Sequence, residues 1–153
     1  MKAVNEIKLL FQGRSANESF ARVSVAAFLM PLDPTVEELT DIKTAVSEAV
    51  TNCIVHAYPD VIGPVSITAR LYPDRRVVVV IRDKGVGIPD IQAAMTPLFT
   101  TAPEQERAGL GFAVMQSFMD KVKVRSVKGK GTTVTMEKRL RSREENQDAR
   151  HGN

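Results

Sequence analysis

The stretch "RDKGVGIPD", Arg82 to Asp90, follows directly on a run of five β-branched residues, Val77 to Ile81. The run predicts a buried strand, and the charged turn that ends it raises the question of what the turn does. In the turn, Gly85 and Gly87 would let a second backbone or a ligand approach closely, and Asp83 places one carboxylate at its mouth. Taken alone, the stretch favours an ordinary strand-ending turn over a ligand site.

The length of 153 residues predicts one domain with a sizeable core. We expect this domain to cover residues 1–140, and residues 141–153 to form a charged, disordered tail because they have almost no apolar side chains. No apolar run reaches membrane-spanning length and the start lacks a secretory signal, so we expect a cytoplasmic protein without membrane contact. Cys53 is the single cysteine, which excludes an internal disulfide, and its apolar helical surroundings indicate core packing.

The net charge of +3 raises the question of nucleic-acid binding. The tail carries part of this charge, and "KVKVRSVKGK", Lys121 to Lys130, alternates basic residues with valine as a half-exposed strand does. No helical recognition motif or aromatic stacking pattern accompanies these charges. We therefore expect no direct contact with nucleic acid.

Hydrophobic periodicity predicts the element order β-α-α-β-β-α-β-β. Ser15 and Glu18 form a candidate capping box for the first helix, and the second helix runs from near Asp33 to about His56. The apolar residues of the first helix are Phe20, Val23, Ala27 and Phe28. This order predicts an α/β fold, a two-layer sandwich with helices on one face of a mixed β-sheet.

The predicted second helix carries a carboxylate and an amide on one stripe. Glu48 and Asn52 are four residues apart and lie roughly opposite the apolar positions, with Ala45 and Ala49 as small neighbours that would let a ligand come close. A carboxylate can accept a proton, and an amide oxygen can ligate a hard cation that keeps its waters for phosphates. In isolation, such a pair is more simply interpreted as a solvated helix face.

Gly109 and Gly111 fall where a loop is predicted to become a helix. Free backbone N–H groups there can meet phosphate, although an ordinary helix entry explains "GLG" equally well. A P-loop and a dinucleotide-binding fingerprint are excluded because neither glycine pattern occurs in the chain. The segment from Met95 to Arg107 has few core-forming residues, and we expect it to be a mobile lid.

Four motifs follow one another along the chain: Glu48-x-x-x-Asn52, Asp83-x-Gly85-x-Gly87, Gly109-x-Gly111 and Gly129-x-Gly131-Thr132. In this order they resemble the GHKL, or Bergerat, family of ATP-binding proteins, and the resemblance covers roughly residues 4–138. It implies that the cofactors are ATP or ADP and Mg²⁺. It also implies the family's ATPase-kinase fold.

The resemblance assigns roles to these positions. Asp83 would bind the adenine amino group with help from Thr132, and Asn52 would hold the magnesium ion. Arg107, in the lid, would contact the γ-phosphate. The other implied nucleotide-binding residues are Gly85, Gly87, Thr101, Gly109, Leu110, Gly111 and Phe112.

Longer stretches resemble one branch of the family, the sporulation anti-sigma F factors, which are serine kinases of endospore-forming bacteria. These stretches are "NESFARVSVAAF", "SEAVTNCIVHAY", "RDKGVGIPD", "PLFTT" and "GLGFAVMQSFMD". The resemblance implies a homodimer that holds sigma F inactive when ATP is bound and phosphorylates a serine of an anti-anti-sigma factor. It implies Glu48 as the catalytic base and Arg22 as a partner-binding residue.

Three other functions are open alternatives. A sensor histidine kinase would need a dimerisation hairpin with an acceptor histidine, for which this chain has no room. An ATPase of the Hsp90 type would use Glu48 to activate water, but it needs further domains. A nucleotide-gated binding module without catalysis is harder to exclude, because a sequence shows a base and not a rate.

Overall fold

The computed structural model describes residues 1–95 and 103–152, with the side chains of residues 103–109 left out of the description. The predicted order of strands and helices is confirmed, and two short helices, α3 and α5, are added to it. The elements are β1 (Asn5–Gln12), α1 (Ala16–Leu29), α2 (Val36–Asn52), β2 (Pro64–Leu71), β3 (Arg76–Asp83), α3 (Ile91–Met95), α4 (Pro103–Phe118), β4 (Lys121–Val127), β5 (Gly131–Arg139) and α5 (Arg143–His151). A π-helical turn, Cys53–Ala57, extends α2.

The five strands form one sheet in the order β1-β2-β3-β5-β4. All four pairings between these strands are antiparallel, so the sheet is antiparallel and the prediction of a mixed sheet is wrong on this point. The strands are joined as hairpins or return over the helical layer, which lets every neighbour run in the opposite direction. β3 lies at the centre, where Ile81 faces Ile67 of β2 and Val134 of β5.

The apolar run of β3 is buried on both faces of the sheet, as predicted from the sequence. Val77, Val79 and Ile81 contribute to the core between the sheet and the helices, and Val78 and Val80 are covered on the opposite face. The core also takes large side chains from three helices and from the neighbouring strands. They include Leu29, Ile42, Ile67, Phe112, Met115 and Met136.

The first helix differs from its prediction in both its cap and its buried face. Ser15 makes no capping hydrogen bond, and Glu18 instead accepts the hydroxyl hydrogen of Ser47 on α2. Phe20 and Val23 are 57% and 58% exposed. The buried residues are Ala21, Val25, Ala26 and Leu29. The two alanines on this face allow α1 to pack closely on the rest of the core, and Phe20 and Val23 lie on the other side of the helix.

The second helix begins with a capping box that the sequence analysis did not identify. The Thr35 hydroxyl accepts the N–H of Glu38 at 3.1 Å, and the Glu38 carboxylate accepts the N–H of Thr35 at 2.9 Å. The other oxygen of Glu38 accepts the N–H of Arg141 at 2.8 Å. Glu38 is buried, so this contact ties the end of β5 to the start of α2.

The charged C-terminal segment is helical in the structure, whereas the sequence indicated a disordered end. α5 is stabilised by a capping box between Ser142 and Glu145 and by an ion pair between Arg143 and Asp33 at 2.9 Å. These polar contacts form a helix without any buried residue. Within the described part of the chain, no helix is long and apolar enough to cross a membrane.

Candidate functional site

The C-terminal half of α2 faces α4 at one close contact. A Cβ atom placed on Gly111 would lie 3.2 Å from Oε2 of Glu48 and 3.3 Å from both Oδ1 and Nδ2 of Asn52. Only a glycine fits here without displacing these polar groups. Gly111 therefore brings the predicted carboxylate and amide against the predicted phosphate-binding element.

The two alanines expected beside this pair have a different position from the one predicted. Ala45 and Ala49 are fully buried in the core, so they do not form the surface that a ligand would approach. The space beside the pair is instead limited by Gly111. The small residue that matters for access is therefore on α4.

The carboxylate of Asp83 meets donors from three parts of the chain. Its Oδ1 accepts the N–H of Gly85 at 2.9 Å and the N–H of Thr132 on β5 at 3.1 Å. The thiol of Cys53, which follows Asn52, lies close to the same carboxylate. Burial raises the pKa of this thiol well above its usual value, and the charge of Asp83 raises the pKa further. Cys53 thus stays a neutral donor that links the end of α2 to the end of β3.

Tyr58 fixes the chain immediately after Asp83. Its hydroxyl donates to the carbonyl of Pro64 at 2.6 Å and accepts the N–H of Lys84 at 2.6 Å. Burial raises the pKa of the Tyr58 phenol, so the hydroxyl keeps its proton at neutral pH. The sequence analysis did not select Tyr58, and no motif marks it.

The glycines after β3 and before β5 lie against other backbone segments. A Cβ on Gly85 would collide with the carbonyl group of Ala57, and a Cβ on Gly131 would collide with the carbonyl oxygen of Asp83. Gly87, with a φ of 78°, lies against the carbonyl of Val127. These contacts close the turns onto α2 and β4, and they place Asp83 and Thr132 side by side.

A part-buried pair of hydroxyl groups, one from β4 and one from β5, supports this arrangement. The Ser126 hydroxyl lies 2.8 Å from the hydroxyl of Thr132 and accepts the N–H of Ile88 at 2.7 Å. The sequence analysis missed Ser126, although it occupies the inward position that valine takes earlier in the alternation of β4. A polar residue at an inward-facing strand position was the available signal.

The family model described as "Histidine kinase-like ATPase domain" matches residues 12–138. Anti-sigma F factor of Caldanaerobacter subterraneus is 56% identical, covering 90% of this chain and 96% of that protein. Anti-sigma F factor of Geobacillus kaustophilus is 58% identical, covering 89% of this chain and 93% of that protein. The chain belongs to the anti-sigma F factor family. The match to the histidine kinase-like ATPase domain also confirms the predicted resemblance to the broader GHKL family.

Solved structures confirm the fold of this anti-sigma F family member. The RsbU and RsbW domains of a Mycobacterium tuberculosis protein align with a TM-score of 0.66 at 20% identity, covering 90% of this chain and 33% of that one. A mycobacterial sensor histidine kinase, MprB, aligns with a TM-score of 0.54 at 14% identity, covering 89% of this chain and 99% of that one. Both likenesses concern the fold alone.

In this family member, the predicted phosphate-binding glycines lie within a helix and not at its start. α4 begins at Pro103, before both Gly109 and Gly111, because proline is well tolerated in a first helical turn and good helix formers follow it. The Phe112 side chain is buried in the core, so only its backbone can serve a nucleotide. Leu110 is exposed.

The remaining predicted site residues have different outcomes. Thr101 and the side chain of Arg107 lie outside the described residues, as does most of the predicted lid. Arg22 lies on α1, with its Nε atom 3.9 Å from Oε1 of Glu18. In the described part of the chain, no group of three or more His, Cys, Asp or Glu side chains could hold a metal ion. A metal would therefore depend on few protein ligands.

Proposed function

We propose that the chain binds and inhibits sigma F when ATP is bound and phosphorylates a serine of an anti-anti-sigma factor. The observation that carries this proposal is the meeting of the sequence motifs in space. Glu48 and Asn52 lie against Gly111, and Asp83 meets Thr132 and Cys53 next to them. A cytoplasmic location in a sporulating bacterium fits this role.

We assign adenine recognition to Asp83. A carboxylate offers about four lone-pair positions, and the N–H groups of Gly85 and Thr132 occupy two of them, both on Oδ1, while the Cys53 thiol lies close by and can take a third. The fourth can accept a hydrogen bond from the amino group of adenine. Guanine has a carbonyl at the corresponding position, so the same acceptor favours ATP over GTP.

We assign the magnesium ion to Asn52. The Nδ2 atom of this side chain is buried and has no hydrogen-bond partner, so the described part of the protein leaves this donor of the amide unpaired. A single amide oxygen suits Mg²⁺, which keeps several waters and takes its other ligands from phosphates. When bound, the ion would neutralise the charge of the phosphate groups.

Asn52→Ala is expected to weaken Mg-ATP binding by at least roughly tenfold while the fold is kept, since the buried Nδ2 atom of this side chain has no hydrogen-bond partner to lose. Calorimetry with and without EDTA measures the effect. EDTA should weaken ATP binding to the wild type and change little in the variant. Equal affinity of the two proteins for Mg-ATP would reject Asn52 as the ligand.

We assign the role of general base to Glu48. Its carboxylate would take the proton of the serine hydroxyl while the serine oxygen bonds to the γ-phosphorus and ADP leaves. Glu48 lies one helical turn before Asn52, so both side chains face the same site from α2. Thr101 and Arg107 stay predicted contacts to the nucleotide.

Phosphate binding by Gly109 to Phe112 requires backbone N–H groups that are free. In the structure this stretch lies inside α4, where N–H groups bond to the preceding turn. We propose that the first turns of α4 open when the nucleotide binds. Two glycines in three residues favour such a change, because glycine weakens a helix by about 1 kcal/mol relative to alanine.

We propose that the outer face of α1 forms a contact between two copies of the chain. Phe20, Val23 and Met30 are all more than half exposed on this helix and the turn that follows it. Their spacing of three and seven residues places them on one stripe. A contiguous exposed apolar stripe is typical of a protein interface.

Phe20→Glu is expected to convert the homodimer to a monomer, because it replaces the largest apolar side chain of this stripe with a charge. Light scattering after gel filtration measures the mass. Val36→Glu is the matched control, since Val36 is 83% exposed at the start of α2, away from the stripe. A dimeric Phe20→Glu protein would reject this interface.

Capture of sigma F tests the proposed inhibition. Sigma F immobilised on resin should retain the protein in the presence of ATP and retain less of it with ADP. Equal capture with either nucleotide, or without any, would reject ATP-dependent inhibition. Capture without phosphate transfer to the anti-anti-sigma factor would indicate a binding module instead of a kinase.

A further inference from the structure

A polar cluster lies between α1 and α2, on the side of α2 that packs against the first helix. We call Glu18, Arg22 and Ser47 the α1–α2 polar cluster. The Ser47 hydroxyl donates a hydrogen bond to Oε1 of Glu18, and Nε of Arg22 lies 3.9 Å from the same oxygen. Oε1 of Glu18 thus lies close to one side chain of α1 and one side chain of α2.

The Arg22 side chain is buried at one point and exposed at another. The Nε atom is buried and has no hydrogen-bond partner, although it lies close to the Glu18 charge. The side chain as a whole is 37% exposed, so part of it beyond the buried Nε atom is open to solvent. The Nε atom thus lies beside the Glu18 carboxylate, and the two terminal nitrogens have the geometry to bind an acidic group of another protein.

Ser47 of this cluster directly precedes Glu48 of the proposed nucleotide site in the sequence. Ser47 faces Glu18 on α1, whereas its neighbour Glu48 faces Gly111 on α4. Successive residues of a helix point about 100° apart, so α2 presents the two side chains to different partners. The same turn of α2 therefore anchors Glu18 and carries the proposed base.

We infer that Glu18 is a positioning residue, which fixes the Arg22 guanidinium for a carboxylate of the protein partner and is itself anchored by Ser47. The inference rests on the proposed function, in which Arg22 binds the partners. Its consequence is that a partner held by Arg22 is oriented relative to Glu48 through one rigid turn of α2. Loss of the Glu18 charge would free the guanidinium and weaken docking without changing the chemistry.

Glu18→Gln and Ser47→Ala test this inference, each alone and combined with Arg22→Ala. We expect each single variant to raise the Kd for sigma F and the KM for the anti-anti-sigma factor by about fivefold. The value of kcat and the affinity for Mg-ATP should stay unchanged. In the Arg22→Ala background, Glu18→Gln should cause no further loss, because the residue it positions is absent.

Glu144→Gln is the control for loss of one acidic charge, since Glu144 is exposed on α5. Wild-type partner affinities in both Glu18→Gln and Ser47→Ala would overturn the inference. An undiminished further loss in the Arg22→Ala background would also overturn it, because Glu18 would then act independently of Arg22. A wild-type protein that binds neither partner would instead reject the proposed function, and the inference with it.

Discussion

Glu48→Gln is expected to lower phosphorylation of the anti-anti-sigma factor by at least roughly 100-fold, because a positioned base contributes about 10²–10⁴-fold to proton transfer. Glutamine keeps the size of the side chain beside Gly111 but cannot accept the serine proton. Residual activity is expected, since positioning and metal-ion charge also accelerate phosphoryl transfer. Single-turnover kinetics with labelled ATP measures the change.

Two comparisons isolate the chemical role of Glu48. ATP affinity and ATP-dependent capture of sigma F should change little in Glu48→Gln, because neither process needs a proton acceptor. Glu37→Gln removes an exposed carboxylate from the first turn of the same helix and should leave the phosphorylation rate unchanged. Phosphorylation by Glu48→Gln at the wild-type rate would show that Glu48 is not the base.

Gly131→Ala is expected to unfold at markedly lower urea concentration and to lose most of its ATP affinity. The new Cβ would collide with the carbonyl oxygen of Asp83, and the φ of 114° at this position is strained for any residue with a side chain. The backbone at the end of β3 must move to make room. Asp83 would then lose its hydrogen bond from Thr132, which follows Gly131 directly.

Gly129→Ala is the matched control for this substitution. Gly129 also has a positive φ, 79°, but a Cβ there would meet nothing within 4 Å. The free energy of unfolding of Gly129→Ala should therefore fall only by the cost of the backbone strain, about 1–2 kcal/mol. We expect Gly131→Ala to be destabilised by about 2 kcal/mol more than this, and its ATP affinity to fall at least roughly tenfold. Equal stability and affinity in the two variants would contradict the proposed link between Gly131 and Asp83.

The order of strands and helices along the chain and the burial of β3 could be predicted because their signals are local. The β-branched run before Asp83 marks β3 without any knowledge of its neighbours. The direction of pairing could not be predicted in the same way. It depends on how the chain returns over the helices, and the sequence pattern of a buried strand is alike in parallel and antiparallel sheets.

The buried face of α1 was predicted incorrectly because the two sides of the helix both carry apolar residues. Phe20 and Val23 were predicted to be buried, yet Ala21 and Val25 face the core. Helix packing selects side chains by the space available, which a periodicity argument does not include. The larger residues are then free for the proposed interface.

Within the candidate site, the motif residues were identified from the sequence and their supports were not. Asp83 and Thr132 were predicted to act together, and the structure joins them by a hydrogen bond of 3.1 Å. Tyr58 holds the same turn through a main-chain N–H and a carbonyl, which leave no trace in the sequence. The start of α4 was missed because helix formers precede Gly109, and propensity extends the helix beyond the expected loop.

Transfer of labelled phosphate tests the central claim most directly. The protein is incubated with Mg²⁺, ATP labelled at the γ-position and its cognate anti-anti-sigma factor, and the labelled residue is located by peptide mapping. We predict that the label appears on one serine of the anti-anti-sigma factor, and that GTP does not replace ATP. Release of labelled inorganic phosphate with an unlabelled partner, or no turnover at all, would contradict the assignment of this site to a protein serine kinase.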